Sequence, residues 1–375
     1  MSRLEELIQK LCPDGVEYVP LSQICIRQKG TSITAADMKE LNKPTAKIRI
    51  FAAGNTVADV DYGDIPDQDI ITKPSIIVKS RGNIGFEYYE KPFSHKNEMW
   101  SYSKKHKQIC LKFYYYYLLN HITEFQQKAR SGKLPQISTP DTDGFLVPLP
   151  PLPVQEEIVR ILDKFTALEA ELEAELEARK KQYEYYSGCI FYFYDTPEFC
   201  WMNFKECCRI SRGNYITKKD THAGNIPVIL GGQEPAYYIN KSNHCGQAIV
   251  ISRSGASAGF VSYWNEPIFV TDGFIIEAKQ NTNIKFLYFF FKSIQDLLNA
   301  SKRGAGIPHI TSEIILSIRV PVPTLAEQTR IVSILDRFDA LVNDITQGLP
   351  AELAARRRQY EYYRDKLLTF KEKAS

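Results

Sequence analysis

Two stretches of this chain carry apolar residues at steps of three and four, which places them on one face of an α-helix. Both stretches follow proline-rich segments, and proline is excluded from a helix interior. The spacing predicts a first helix from about Gln155 to Tyr186, roughly 48 Å long, and a second one interrupted near Gly348 and Pro350. The predicted packing stripes are Ile161, Phe165, Leu168, Leu172 and Leu176 on the first helix, and Ile331, Ile334, Phe338, Leu341 and Ile345 on the second.

The remaining segments alternate β-branched runs with Gly, Asn and Pro turns. SIIVKS from Ser75, AIVIS from Ala248 and FIIEA from Phe274 are typical of buried strands. The aromatic runs 114–117 and 287–290 have helical spacing, which favours core packing over a base-stacking platform for single strands. The predicted fold class is α+β: two mixed α/β modules separated by two long helices that pack as an antiparallel coiled coil with pseudo-two-fold symmetry.

The chain is also internally duplicated. VPLPPLPVQEEIVRILDKFTAL from Val147 matches VPVPTLAEQTRIVSILDRFDAL from Val320, an offset of 173 residues, and RKKQYEYY matches RRRQYEYY at an offset of 177. Weaker matches at the first offset pair SIIVKSRG with AIVISRSG and ARSGKLPQIS with KRGAGIPHIT. A duplication of this kind predicts two related modules. They are placed at residues 1–147 and 188–320, with helical spacers at 148–187 and 321–375.

Composition restricts the class of protein. The 375 residues include 47 Lys and Arg against 44 Asp and Glu, a net charge of +3, so any nucleic-acid surface must be local. The opening MSRLEELIQKLCPDG does not resemble a signal peptide, and the apolar runs are too short to cross a bilayer, which predicts a cytoplasmic protein. The eight cysteines form no C-x-x-C pair, which predicts reduced core thiols and no metal site.

The repeated PLPPLPVQEEIVRILDKF and PVPTLAEQTRIVSILDRF resemble the central and C-terminal repeats of the specificity subunit of type I restriction-modification systems. The opening LIQKLCPDGVEYVPLSQI and the ending QYEYYRDKLLTF are similar to that family too. The link SGCIFYFYDTPEFCWM departs from the family pattern, which leaves the start of module two open.

The resemblance implies two target-recognition domains, each reading one half of an interrupted, asymmetric sequence in double-stranded DNA. The helices would set the spacing between the halves and dock two methyltransferase (M) subunits, and restriction (R) subunits are possible further partners. This chain would be non-catalytic and hold no cofactor, since S-adenosylmethionine, Mg and ATP are expected on the partner subunits.

Candidate DNA contacts lie in a basic turn after a strand and in a basic loop, both present in each module. Glycine lets the backbone approach a phosphate, and Arg can donate to guanine or to phosphate oxygens. A strand-ending turn and a solvated surface loop remain the alternatives. The candidates are Lys79, Ser80, Arg81, Arg130, Lys133 and Gln136 in module one and Ser252, Arg253, Lys302, Arg303 and His309 in module two. Arg179 and Arg356, on the helices, indicate either a partner surface or a solvated face.

Two rival classes of protein account for single features of the sequence. Asp272, Glu277 and Lys279 match the D…E-x-K pattern of metal-dependent nucleases, but residues five apart on one strand point to opposite faces and cannot share a metal ion. A coiled-coil scaffold that binds only protein would leave the duplicated basic turns unexplained.

Overall fold

The protein divides into two compact units in a computed structural model that describes residues 3–129, 134–191, 200–217, 222–230, 234–304, 306–344 and 346–373. Unit 1 comprises Met1–Glu171 and Ala354–Ser375, and unit 2 comprises Leu172–Leu353. Each long helical region therefore contributes to both units. The four-part division predicted from the sequence groups the residues differently and stays a prediction.

Unit 1 mixes short strands with helices, as the β-branched runs predicted. Its elements are α1 (Arg3–Leu11), β1 (Tyr18–Pro20), α2 (Leu21–Ile24), β2 (Cys25–Gln28), α3 (Ala35–Leu41), β3 (Ile48–Phe51), β4 (Val57–Val60), a 3-10 helix (Asp67–Asp69), β5 (Ser75–Lys79), β6 (Gly85–Tyr89), β7 (Phe93–His95), β8 (Trp100–Lys104), α4 (Leu111–Asn120), α5 (Ile122–Lys128), α6 (Thr139–Asp143), β9 (Leu146–Pro148) and the start of α7 (Leu152–Cys189).

Unit 2 repeats the succession of elements from β10 onward. Its elements are β10 (Cys200–Asn203), α8 (Phe204–Cys207), β11 (Cys208–Arg212), β12 (Ile226–Ile229), β13 (Tyr237–Ile239), β14 (Ala248–Ser252), β15 (Val261–Trp264), β16 (Phe269–Val270), β17 (Gly273–Ala278), α9 (Ile284–Ser293), α10 (Gln295–Ala300), α11 (Ser312–Leu316), β18 (Arg319–Val322), α12 (Leu325–Asn343) and the start of α13 (Leu349–Leu368).

The described strands of the two units have the same topology. Unit 1 has sheets ordered β2-β8-β5-β6, β4-β3-β7 and β1-β9, and unit 2 has β11-β17-β14-β15, β13-β12-β16 and β10-β18. Even the register repeats, since Ile76 pairs with Tyr102 and its counterpart Ile249 pairs with Ile276. The α+β class and the duplication of the globular parts are therefore confirmed.

The aromatic helices α4 and α9 lie in the cores of their units. Tyr114 and Tyr117 of α4 are buried, as are Leu287 and Phe290 of α9. The preference for core packing over a base-stacking platform is confirmed, because these rings have no exposed face to offer a base.

The buried face of α7 differs from the predicted stripe. Ile158 and Leu162 are buried against unit 1, whereas Ile161 and Phe165 are half-buried and Leu168 is exposed. Leu168 is predicted to pack against a second helix or a partner subunit, and that role stays a prediction. Because the start of α7 packs against the rest of unit 1, with Lys112 of α4 paired to Asp163 at 2.8 Å, its buried face lies about one residue away from the face expected for a two-helix coiled coil.

Helix α12 shows the same shift. Ile331 and Leu335 are buried, Ile334 and Phe338 are half-buried, and Leu341 is exposed, so its packing role also stays a prediction. The remaining stripe residues are Leu172 and Leu176, which are half-buried, and Ile345, which lies outside the described residues.

The helical segments within unit 1 run antiparallel, as predicted. The Phe165 ring of α7 stacks on Tyr363 of α13 with centroids 5.7 Å apart, and Glu169 pairs with Arg357 at 2.7 Å. As the residue number increases along α7, the number of the contacting residue on α13 decreases, which is the antiparallel direction. In unit 2 the equivalent ring pair, Tyr186 of α7 and Phe338 of α12, has centroids 6.3 Å apart.

Proline and glycine mark where the long helices begin and break. Helix α7 starts at Leu152, with Pro153 in its first turn, where no intrahelical N–H bond is lost. The predicted interruption lies between α12 and α13, and Pro350 belongs to the first turn of α13 rather than to the break. At 38 residues, α7 is longer than predicted.

Buried Gln155 joins the start of α7 to the start of α4. Its Oε1 accepts from the N–H of Cys110, the N-cap residue of α4, at 2.8 Å. Its Nε2 donates to the carbonyls of Pro150 at 2.7 Å and Gln108 at 3.3 Å. A single side chain thus fixes the angle between the long helix and the core helix of unit 1.

Gln328 repeats this arrangement in unit 2. Its Oε1 accepts from the N–H of Asn283, the N-cap residue of α9, at 2.7 Å. Its Nε2 donates to the carbonyls of Pro323 at 2.8 Å and Asn281 at 3.1 Å. The glutamine shared by the two sequence repeats is therefore a structural link.

The structure also shows where the cysteines lie and whether any helix could span a membrane. Cys12, Cys25, Cys207 and Cys208 are buried free thiols, in line with the core role predicted, whereas Cys245 is exposed. Among the described residues, no helix has the length and apolar character needed to span a membrane.

Candidate DNA interface

In unit 1 the two predicted contact segments lie side by side. The turn after β5 pairs with the segment before α6: Arg81 and Gln136 form a β-bridge, Gly82 donates to the Pro135 carbonyl at 2.9 Å, and Ile137 donates to the Ser80 carbonyl at 3.0 Å. Gly82 has φ +76°, a conformation that side chains disfavour. Residues 80–82 and 134–137 are called the turn–loop pair of unit 1.

Unit 2 builds the same arrangement at an offset of 173. Gly255, with φ +84°, donates to the Pro308 carbonyl at 2.9 Å, and Ile310 donates to the Arg253 carbonyl at 2.9 Å. Ser254 and His309 form the matching bridge. Residues 253–255 and 307–310 are the turn–loop pair of unit 2, so sequence motifs 50 or more residues apart meet in both units.

The shared register shows that Arg81 and Arg253 are not equivalent. Arg81 occupies the position of Ser254, and Arg253 that of Ser80. The Arg81 guanidinium is exposed and has no side-chain partner among the described residues. Arg253 instead donates to Asp272 at 2.7 Å, and Ser254 also donates to Asp272. Both turns therefore carry an arginine, as the sequence indicated, but at positions one residue apart.

Two predicted contact residues have buried side chains. The Ser80 hydroxyl donates to the Glu98 carbonyl at 2.5 Å, and Ser252 is buried at the end of β14. Neither hydroxyl is accessible to DNA, because a strand end alternates inward and outward side chains and these point inward. Lys79 pairs with Glu87 of the adjacent strand at 2.8 Å.

The loop cations differ in their surroundings. Lys302 donates to the Ala256 carbonyl at 3.1 Å, which ties the loop of unit 2 to its turn. Arg303 is exposed, and its main chain exchanges two 2.9 Å hydrogen bonds with His309, which is also exposed. Predicted contacts Arg130 and Lys133 lie outside the described residues.

A buried network holds the loop of unit 1 against β8. The Tyr102 hydroxyl donates to Asp143 at 2.5 Å and contacts the Thr142 hydroxyl at 2.7 Å, and Trp100 donates to Thr142 at 3.0 Å. Burial and the Asp143 carboxylate raise the pKa of Tyr102, so its hydroxyl stays protonated. Asp143 also pairs with Arg27. Because α6 directly follows the loop, this network fixes where the loop emerges.

The helix arginines repeat each other. Arg179 donates to Gln182 at 2.9 Å and to Glu175 at 3.1 Å, and Arg356 donates to Gln359 at 3.2 Å. An exposed tyrosine pair follows each arginine six residues further along its helix, Tyr185–Tyr186 and Tyr362–Tyr363.

Residues missed in the sequence analysis lie near the turn–loop pair of unit 2. A depression of about 380 Å³ is lined by Arg212, Arg253 and His309, among others. Arg212 ends β11 and is exposed, and exposed Tyr215 follows it. The run Arg-Gly-Asn-Tyr, which starts at the last residue of β11, was the available signal.

The two carboxylates of the nuclease-like pattern have different partners. Asp272 is engaged by Arg253 and Ser254, whereas Glu277 pairs opposite Arg209 within the sheet. No group of three or more His, Cys, Asp or Glu side chains that could hold a metal ion is found in the part of the chain that the structure describes.

Comparison with known proteins identifies the class. The sequence model described as "Type I restriction modification DNA specificity domain" matches twice, over residues 13–178 and 200–355. The specificity subunit of type I restriction enzyme EcoR124I/EcoR124II of Escherichia coli is 30% identical, covering 99% of this chain and 97% of that protein. A putative type I restriction enzyme specificity subunit of Haemophilus influenzae is 30% identical, with coverages of 79% and 82%.

Solved structures agree on the fold. The S subunit of the type I restriction-modification system of M. genitalium superposes with a TM-score of 0.63 at 18% identity, covering 94% of this chain and 96% of that chain. This chain therefore belongs to the family of type I restriction-modification specificity subunits, whose role is DNA sequence specificity. The resemblance noted in the repeats is confirmed.

Proposed function

We propose that each turn–loop pair reads one half of a bipartite, asymmetric target in double-stranded DNA. The observation that carries this is a shared backbone with different side chains: Arg81 and Gln136 in unit 1 correspond to Ser254 and His309 in unit 2. Paired backbone fixes the position of these side chains, and their donors and acceptors differ, as two different half-sites require. Helix α7, about 57 Å long at 1.5 Å per residue, acts as the ruler between the half-sites.

Exposed aromatic pairs on α7 and α13 are the methyltransferase docking sites in this proposal. Tyr185 and Tyr186 form an edge-to-face pair with centroids 5.5 Å apart, and Tyr362 and Tyr363 form its counterpart at 5.4 Å. Large exposed aromatic residues are typical anchors of protein interfaces. Two equivalent pairs fit two M subunits.

Catalysis belongs to the partner subunits. S-adenosylmethionine is bound by the M subunits, and Mg and ATP by restriction subunits where these join the complex. This chain contributes no reacting group and acts in the cytoplasm.

The test is a genome-wide map of N6-methyladenine in cells carrying the cognate M subunit, with and without this chain. An interrupted, asymmetric motif that depends on the chain is expected. Arg81→Ala should relax one half of that motif, while the control Lys105→Ala, another exposed cation of unit 1, should leave it unchanged. Unchanged methylation without the chain, or one continuous motif, contradicts the proposal and favours a protein-binding scaffold.

Docking has a separate test. Tyr185→Ser and Tyr362→Ser should each remove one M subunit from the complex measured by native mass spectrometry. Tyr62→Ser, an exposed tyrosine of unit 1 without an equivalent pair, is the control. Full occupancy in both variants argues against these docking sites.

A further inference from the structure

The loop segment of each turn–loop pair begins with an exposed aliphatic residue. Leu134 is 52% exposed and Ile307 is 69% exposed, and the two occupy equivalent positions directly before the prolines of the loops. Scattered exposed apolar residues are normal on a protein surface. A large aliphatic residue repeated at the same exposed position in both units is a different observation, since the nearby exposed polar residue changes from Gln136 to His309.

Hydrogen-bonded backbone directly follows both side chains. In unit 1, Leu134 precedes the Pro135 carbonyl, which accepts from Gly82, and Ile137 three residues on is buried. In unit 2, Ile307 precedes the Pro308 carbonyl, which accepts from Gly255, and His309 exchanges two hydrogen bonds with the main chain of Arg303. The exposed side chains are thus presented in place by the fold rather than left loose.

Their chemistry differs from that of the residues around them. The exposed Arg81 of unit 1 and the exposed Arg303 and His309 of unit 2 suit phosphates and polar base edges. An aliphatic side chain gains nothing from a phosphate. On DNA its partners are the apolar surfaces of bases: the thymine methyl group in the major groove, or the faces of two bases separated by a wedge.

We infer that Leu134 and Ile307 are apolar base contacts, one in each half-site, that place each turn–loop pair against the bases. This inference rests on the proposed DNA-reading function. Because the aliphatic residue is common to both units while the polar residues differ, it supplies a contact of the same kind in both half-sites, and the polar residues supply their difference.

The test measures binding of the complex with its M subunits to an oligonucleotide carrying the target found by methylation mapping. Leu134→Ala and Ile307→Ala should each weaken specific binding about tenfold, the scale of one mismatched base pair. Since no counterion is released at an apolar contact, the slope of log affinity against log salt should stay unchanged, whereas loss of a cation that contacts a phosphate would reduce it by about one.

Matched controls are available in each unit. Leu146, 53% exposed, and Leu297, 58% exposed, lie outside the turn–loop pairs, and their replacement by Ala should leave binding unchanged.

Two substituted DNAs distinguish a thymine methyl group from a base step opened by a wedge as the partner of the aliphatic side chain. Deoxyuridine in place of one thymidine should abolish the Leu134 effect if the methyl group is the partner. Increased 2-aminopurine fluorescence at one step, lost in the variant, indicates a wedge.

Three outcomes would overturn the inference. If the unmodified chain binds its target and Leu134→Ala binds it as tightly as Leu146→Ala, the inference is wrong but the DNA-reading function stands. A loss of M subunit assembly rather than of DNA binding would assign the residues to a protein interface. No specific binding by the unmodified chain would overturn the proposed function together with this inference.

Discussion

Replacing Gln155 by Leu tests whether the glutamine link supports unit 1. The substitution keeps a similar volume but removes both the acceptor for the Cys110 N–H and the donor to the Pro150 carbonyl. Each buried main-chain group left unpaired costs about 1–3 kcal/mol, so two cost about 2–6 kcal/mol. The added apolar burial of Leu offsets roughly 1 kcal/mol. Unit 1 should therefore lose about 1–5 kcal/mol of unfolding free energy.

Denaturant unfolding combined with hydrogen exchange of the first turn of α4 is the assay, because exchange assigns the loss to one unit. Gln328→Leu should produce the same loss at the first turn of α9 instead. Gln127→Leu, at an exposed position of α5, is the control. A Gln155→Leu variant that unfolds within about 0.5 kcal/mol of the unsubstituted chain, as surface variants do, refutes the reasoning.

Three further predictions concern the turns, acid stability and the ion pair. Gly82→Ala should cost unit 1 about 1 kcal/mol because of its positive φ, while Gly85→Ala, also in open space but without that conformation, should cost less in thermal unfolding. Burial lowers the pKa of His95, so below about pH 6.5 the unfolded chain binds more protons than the folded one. Unfolding free energy should therefore fall as the solution is acidified through that pH, and His95→Gln should weaken this dependence; an equal pH dependence in the variant would count against it. Asp272→Asn should release Arg253 and steepen the salt dependence of DNA binding by about one in log–log slope, measured by fluorescence anisotropy. An unaltered slope would show that Arg253 makes no phosphate contact.

The long helices were predictable from the sequence, but their buried faces were not. Periodicity located both long helices to within a few residues at most ends, since apolar spacing and proline act locally. It selected Leu168 and Leu341 as packing residues although both are exposed. A stripe on a helix is ambiguous by about one residue when neighbouring positions such as Leu162 and Leu335 are apolar too, and only the packed partner decides which face is buried.

By itself, the sequence determined the duplication, the α+β class, the buried aromatic helices and the family, because each is carried by periodicity or by self-similarity along the chain. Tertiary structure alone decided three other features. It joined the end of α13 to unit 1, where Val16 and Glu372 form a β-bridge. It gave Gln155 and Gln328 their role, and it placed Arg81 and Arg253 at different positions of one backbone pattern. These features depend on hydrogen bonds between residues far apart in the chain, and no local pattern of residue types specifies which distant backbone groups will meet.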